Sequence, residues 1–298
     1  MHLGNVFSAL LSWLSAKSKG GRWLLRIEDI DPQRSRMEYA KLLMDDLQWL
    51  GLTWDGKPVF QSQRTDIYEH YYNMLQQQDL TYPCYCTRAD LLATQAPHES
   101  DGRVVYPGTC RPKKVEGGGV KVEGGGLKVE GGRPAATRLI VADEDISFTD
   151  GHYGTQTVNM ARHVGDYIIQ RKDGAWAYQL AVVVDDGLMG VNEVVRGRDL
   201  LLSSPQQISL SHTLGFTPPQ FIHLPLLIND AGQRLSKRDS SLDMGELRQH
   251  HTASELIGWL AYYAGLLPNS QPIMPNQLLN VFSWEKVPHD DITVRMNE

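Results

Sequence analysis

The sequence predicts an α/β fold: a parallel sheet covered by helices, an insertion in its middle and a small helical part at its end. Three observations predict it. Apolar residues recur at helical spacing between short buried runs that read as strands, a βαβα rhythm. The run Trp23-Leu24-Leu25-Arg26-Ile27 ends in the acidic stretch Glu28-Asp29-Ile30-Asp31, and open α/β sheets place ligands at such strand ends. The chain has 298 residues, 41% hydrophobic and 21% charged, enough apolar material to bury one or two cores.

Each element follows from its local pattern. Val6, Phe7, Leu10, Leu11 and Leu14 fall at helical spacing. They mark a core-facing helix rather than a secretory segment, because no basic residues precede them and no small-residue cleavage site follows. After the Trp23–Ile27 strand, Tyr39, Leu42, Leu43, Leu47 and Leu50 line a helix over 38–50 that Gly51 ends. Another helix is expected over 67–78. From Lys114 to Gly132 the unit Lys-Val-Glu-Gly-Gly-Gly repeats with a seven-residue period. Its glycines oppose a coiled coil and are not spaced for collagen, so a flexible surface excursion without chemistry is expected.

Order resumes at Arg138. A strand is expected over 166–171, a turn at Lys172-Asp173-Gly174, and a buried apolar segment over 178–184 that ends in Asp185-Asp186. A strand over 191–195 delivers Arg196 and Gly197. Pro205 to Leu214 reads as a helix, and Phe221 to Ile228 leads through Asn229-Asp230-Ala231-Gly232 into a loop carrying Lys237. Ser254 to Leu266 is strongly helical, with Trp259, Leu260 and Tyr263 for packing. No run is long enough to span a membrane, and a cytoplasmic protein is expected.

Formal net charge is −6, so a nucleic acid must be met by a local basic surface, which argues against general DNA binding. The cysteines Cys84, Cys86 and Cys110 all lie in one short region, a clustering that points to metal rather than to disulfides. His2-Leu3-Gly4-Asn5 and Arg234-Leu235-Ser236-Lys237-Arg238 read as two halves of one ATP site. A helix mouth with a histidine and a small backbone can face a triphosphate, and an ammonium from a Gly-containing loop can neutralise the charge that moves as pyrophosphate leaves.

These segments, with Arg26-Ile27-Glu28-Asp29-Ile30-Asp31, Ala181-Val182-Val183-Val184-Asp185-Asp186 and Val195-Arg196-Gly197, resemble the glutamyl branch of the class I aminoacyl-tRNA synthetases. Too few residues follow the Ser-Lys loop for an anticodon-binding domain. That short architecture, with Cys84-x-Cys86 and Tyr106-x-x-x-Cys110, is similar to the glutamyl-queuosine tRNA(Asp) synthetase family.

The resemblance implies a Rossmann-like catalytic domain over 1–83 and 138–200, a zinc-type insertion over 84–137, and a Ser-Lys loop with a small helical stem-contact domain over 201–298. It assigns Glu28, Tyr178 and Arg196 to L-glutamate; His2, Gly4, Ser236 and Lys237 to ATP; and His2 and Lys237 to charge stabilisation. It implies Mg²⁺ with ATP and one structural Zn²⁺ on Cys84, Cys86, Tyr106 and Cys110, with His98 a competing fourth ligand. Three reduced cysteines in a packed loop are the alternative. The implied reaction is attack of the glutamate carboxylate on the α-phosphorus of ATP, then transfer of the glutamyl group to queuosine of tRNA(Asp), by a monomer with no DNA or membrane partner. Two other readings remain: a shortened glutamyl-tRNA synthetase that charges a tRNA 3′ end, and a non-catalytic nucleotide- or tRNA-binding paralogue. Family members carry a strand and turn close to Arg-Phe-Ala-Pro-Ser-Pro-Thr-Gly before the His-x-Gly. This sequence begins at Met1-His2, and a start assigned too late is expected, since the later motifs are intact.

Overall fold

The computed structural model describes residues 1–31, 35–93, 105–114, 120–122, 134–235 and 242–295. Helix α1 (Leu3–Ser18) buries Val6, Phe7, Leu10, Leu11 and Leu14, the stripe that the spacing predicts. Strand β1 (Arg26–Ile27) is shorter than expected, but in the segment before it the carbonyls of Trp23 and Leu25 accept from the N–H groups of Asp55 and Val59. Helix α2 (Met37–Trp49) leads back, closed by Gly51 at φ +78°, a left-handed turn that suits glycine. Strand β2 (Val59–Phe60) then lies parallel to β1, and helix α3 (Thr65–Gln77) follows.

The middle of the chain is where the parallel expectation fails. Strands β3 (Thr81–Cys84), β6 (Ala136–Leu139) and β9 (Tyr167–Gln170) form an antiparallel sheet in the order β3-β6-β9, with helix α4 (Arg88–Ala93) after β3. Strand β4 (Pro112–Lys114) pairs antiparallel with β5 (Val120–Val122). Most of the repeat lies outside the described residues. Strands β7 (Asp145–Asp150) and β8 (Gly154–Asn159) form a hairpin, and helix α5 (Met160–His163) precedes β9. In β7 only Ile146 and Phe148 alternate with polar residues, too short a period-2 signal to be read locally.

The parallel pattern returns downstream. Helix α6 (Tyr178–Met189) is followed by β10 (Glu193–Gly197), helix α7 (Ser204–Thr213) and β11 (Gln220–Leu224), with β10 and β11 parallel. Arg196 therefore sits within its strand rather than just after it. Strand β12 (Leu227–Ile228), helices α8 (Met244–His250), α9 (Ala253–Tyr263) and α10 (Pro275–Leu278), and strand β13 (Ile292–Thr293) complete the order, with β12 parallel to β13. Among the described residues the parallel strands thus form two-stranded ladders. An open slot of about 800 Å³ is walled by residues of α1, Trp23 to Arg26 and Val191 to Val195.

Two main cores hold these layers. One joins the apolar face of α1 to Leu224, Leu227, Leu235 and the apolar faces of α8 and α9. The other packs α3 and α6 around Tyr68, Leu75, Ile169 and Val184. Asp185 is fully buried in α6, where it accepts from Gln61 Nε2 (2.9 Å), Arg64 Nε (2.6 Å) and Tyr68 OH (2.8 Å). It ties α6 to α3 and the turn before it, a structural role for a carboxylate that sequence alone left open. No helix among the described residues is long and apolar enough to cross a membrane.

His152 gives the fold an acid-sensitive point. Its ring stacks on His289 at 4.2 Å and its Nε2 lies 2.9 Å from the Pro288 carbonyl. Burial, with the neighbouring His289, pushes its pKa below the ordinary imidazole value, while the Pro288 carbonyl opposes the shift. The unfolded chain then binds the extra proton first, so this group's stabilisation is lost as pH falls below about 6.5. Glu28 and Asp186, whose carboxyls are raised by burial, titrate in the opposite sense. The histidine's share is therefore read by difference: wild type should lose more melting temperature than His152→Gln between about pH 7.5 and 5.5. Equal losses in the two proteins would contradict it.

Candidate active site and metal centre

Arg196 is the electrostatic anomaly of the molecule. Its side chain is buried, yet its guanidinium touches neutral groups: Nε lies 3.2 Å from His223 Nε2, Nη1 donates to Gln207 Oε1 (2.8 Å), and Nη2 donates to Ser204 Oγ (2.7 Å). Longer contacts run from Nη1 to Tyr178 OH (3.5 Å) and from Nη2 to the Leu200 carbonyl (3.4 Å). The Phe221 ring lies 4.9 Å from the guanidinium carbon. Burial pushes the Arg196 pKa below its usual value, opposed by Tyr178, Asp186 and Glu28. Among the described residues no carboxylate forms a salt bridge with it. A buried cation held only by neutral dipoles is costly, and a carboxylate ligand would supply the missing charge through the fork.

The other two residues of the expected glutamate set flank it. Tyr178 opens α6, and burial, with the nearby Glu28 carboxylate, raises its pKa and keeps the phenol protonated as a donor. Glu28 follows β1 and lines the slot, with its side chain 42% exposed and its carboxylate 3.5 Å from Arg26 Nη2. The protein packed around it raises its pKa despite Arg26. Arg26 in turn donates from Nη1 to Asp186 Oδ1 at 2.7 Å. The structure brings Tyr178 to Arg196 directly, whereas Glu28 reaches both only through its field.

His2 precedes the first turn of α1, its N–H bonded to Asn5 Oδ1 at 3.2 Å. A Cβ built on Gly4 would meet the His2 ring at 3.2 Å, so glycine there leaves the imidazole room to fold over the helix mouth. Asp243 bridges to His2, and the Met244 N–H donates to the Met1 carbonyl. Leu235 and Leu242 are buried in the same cluster as Leu3. Both flanks of the Ser-Lys loop are thus anchored on the core that holds α1, and Arg234 pairs with Asp199. Ser236, Lys237 and Arg238 lie outside the described residues, as does His98.

The cysteine region assembles as a compact cluster. The sulfurs of Cys84, Cys86 and Cys110 lie within 4.8 Å of one another. Tyr106 OH is 3.6 Å from Cys84 Sγ and 3.8 Å from Cys86 Sγ, and Cys86 Sγ is 3.6 Å from Cys110 Sγ. Zinc–sulfur bonds of about 2.3 Å in a tetrahedron place ligands about 3.8 Å apart, and these three separations match edges of such a site. Arg138 caps the Tyr106 ring at 3.6 Å. Burial pushes the Cys86 thiol up to about 12, with Cys110 and Cys84 adding to it. Burial also opposes the Cys84 thiolate, but Arg138 and Tyr106 bring that thiol below its ordinary value. Burial keeps the Cys86 thiol neutral, and three thiolates so close together would need a cation to share them.

Sequence reasoning missed the shell around Arg196: Gln207, Ser204, His223 and, behind His223, Asp150. The local signals were a Gln-Gln pair on an otherwise buried helix face and a histidine inside the apolar run Phe221-Ile222-His223-Leu224.

The α/β body that carries these residues is that of a known class. Residues 1–257 match the family model for the class I (E and Q) tRNA synthetase catalytic domain, and the chain belongs to that family. It is 42% identical over 298 aligned positions to the Glutamyl-Q tRNA(Asp) synthetase of Nitratidesulfovibrio vulgaris, covering 97% of this chain and 90% of that one. To the Glutamyl-Q tRNA(Asp) synthetase of Deinococcus radiodurans it is 45% identical, over 90% of this chain and 85% of that one. Among solved structures, a glutamate tRNA ligase from Elizabethkingia meningosepticum in complex with its amino acid superposes with a TM-score of 0.78 at 26% identity. That match covers 99% of this chain, which spans 64% of the ligase's length.

Proposed function

We propose that this chain activates L-glutamate with ATP and transfers it to the queuosine of tRNA(Asp). The observation that carries the reading is Arg196, a buried guanidinium without a carboxylate partner among the described residues, with Tyr178 OH at 3.5 Å. The names of the relatives, similar over nearly their whole length, support the same substrate pair.

In this reading Arg196 grips the glutamate side-chain carboxylate with its fork, Tyr178 donates beside it, and Glu28 takes the α-ammonium. The reacting carboxylate then faces the α-phosphorus of ATP. His2, with the backbone amides that Gly4 leaves open, faces the triphosphate, and Ser236 and Lys237 close on it from the other side. Mg²⁺, when bound with ATP, neutralises part of the phosphate charge. The chain supplies position and charge rather than a covalent nucleophile, which is enough for displacement at phosphorus. Cys84, Cys86, Tyr106 and Cys110 hold one zinc ion as a structural clasp on the 84–137 insertion. The helical part within 201–298 takes the tRNA stem.

Glutamate-dependent exchange of pyrophosphate into ATP, measured without tRNA, tests the activation step. Exchange with glutamate and not with glutamine or aspartate is expected. Absence of exchange, or equal exchange with glutamine, would remove the reading.

A further inference from the structure

We infer that His223, itself fixed by Asp150, is a positioning residue that sets the Arg196 guanidinium for its carboxylate ligand. The inference rests on the glutamate reading of Arg196.

The argument starts from proton counting. Arg196 Nε always carries its proton, so His223 Nε2, 3.2 Å away, must be the acceptor. The ring's one proton is then on Nδ1, where it is donated to Asp150 Oδ2 at 2.6 Å. Ser204 Oγ, 3.2 Å from the same Nε2, completes the acceptor side. Asp150 cannot turn away. Its Oδ1 accepts from the backbone N–H groups of His152 (2.9 Å) and Tyr153 (2.8 Å), and the His223 N–H lies 3.2 Å from Oδ2.

Asp150 and His223 are both completely buried, and burial lowers the imidazole pKa, with the Arg196 charge adding to it and Asp150 opposing. A protonated ring would point an N–H at the arginine's N–H and add a second buried cation. The neutral tautomer is therefore the one that this geometry accepts.

The consequence is directional. His223, Gln207 and Ser204 hold the guanidinium through Nε, Nη1 and Nη2. The longest of its side-chain hydrogen bonds, at 3.5 Å, is the one toward Tyr178, the side on which a carboxylate would dock. Deleting the Nε acceptor frees the plane to rotate without removing any group that touches the ligand.

Two variants separate positioning from packing. In His223→Asn the amide nitrogen takes the Nδ1 place and keeps the Asp150 contact but loses the acceptor for Arg196. In His223→Gln the amide oxygen takes the Nε2 place and keeps that acceptor. Pyrophosphate exchange at varied glutamate should show KM for glutamate raised roughly tenfold in His223→Asn, as expected for one lost bond to a charged group, with KM for ATP unchanged. His223→Gln, which gives up the Asp150 contact but keeps the acceptor, should raise KM for glutamate clearly less than His223→Asn does. Nitrogen-15 NMR of the wild type at neutral pH should give a protonated Nδ1 and a bare Nε2. An unchanged glutamate KM in His223→Asn, equal damage to both substrates in both variants, or a protonated Nε2 would each overturn the inference. If the wild type itself shows no glutamate-dependent exchange, the glutamate reading falls and takes this role with it. If the wild type exchanges and His223→Asn matches it, only the positioning role falls.

Discussion

Arg196→Lys is expected to lower kcat/KM for glutamate about a hundredfold in pyrophosphate exchange, the cost of two charge-assisted bonds that a single ammonium cannot reproduce. Lysine keeps the charge but loses the planar fork, the Nε contact to His223 and the paired contacts to Gln207 and Ser204. The effect should be confined to glutamate, with KM for ATP unchanged. Stability should respond differently. Because Arg196 is buried without a carboxylate partner among the described residues, Arg196→Met should keep the melting temperature of the ligand-free protein close to wild type while abolishing glutamate binding. A lysine variant with wild-type kcat/KM, or a methionine variant that unfolds, would contradict this account of the residue.

The second large effect is expected at the cysteine cluster. Cys110→Ser should reduce bound zinc from about one ion per chain to near none, because a neutral hydroxyl replaces a thiolate in the tetrahedron. Zinc binding carries folding free energy on the order of 10 kcal/mol in small zinc domains, so its loss should loosen the segment it clasps. Elemental analysis of protein purified without chelators gives the metal content. Limited proteolysis should cut within 84–137 faster in the variant than in wild type. Glutamate-dependent exchange without tRNA should be largely kept, since Cys84, Cys86 and Cys110 pack in a cluster of their own, apart from the two main cores. Wild type without zinc, or Cys110→Ser with a full complement, would return the site to three packed thiols.

Legibility in the sequence followed the range of the interactions. Helices α1, α2 and α9 were readable because their apolar stripes and the glycines just past their ends are encoded within a few turns. The three cysteines were readable as a cluster for the same reason, all lying between Cys84 and Cys110. Strand pairing was not. Whether β6 runs with or against β3 depends on partners far along the chain, and the short strands carry no pattern that decides it. At the candidate site Arg196 was singled out through the resemblance that Val195-Arg196-Gly197 helps to carry. Its partner His223 lies 27 residues downstream, and Asp150 precedes His223 by 73 residues, so the shell could be seen only after folding.

The measurement that tests the central claim most directly is transfer of labelled glutamate to tRNA(Asp) with and without queuosine. The account predicts a label that requires ATP, appears only on the queuosine-containing tRNA and disappears with Arg196→Met. Glutamate attached equally well to tRNA lacking queuosine, or at the 3′ end of another tRNA, would contradict it.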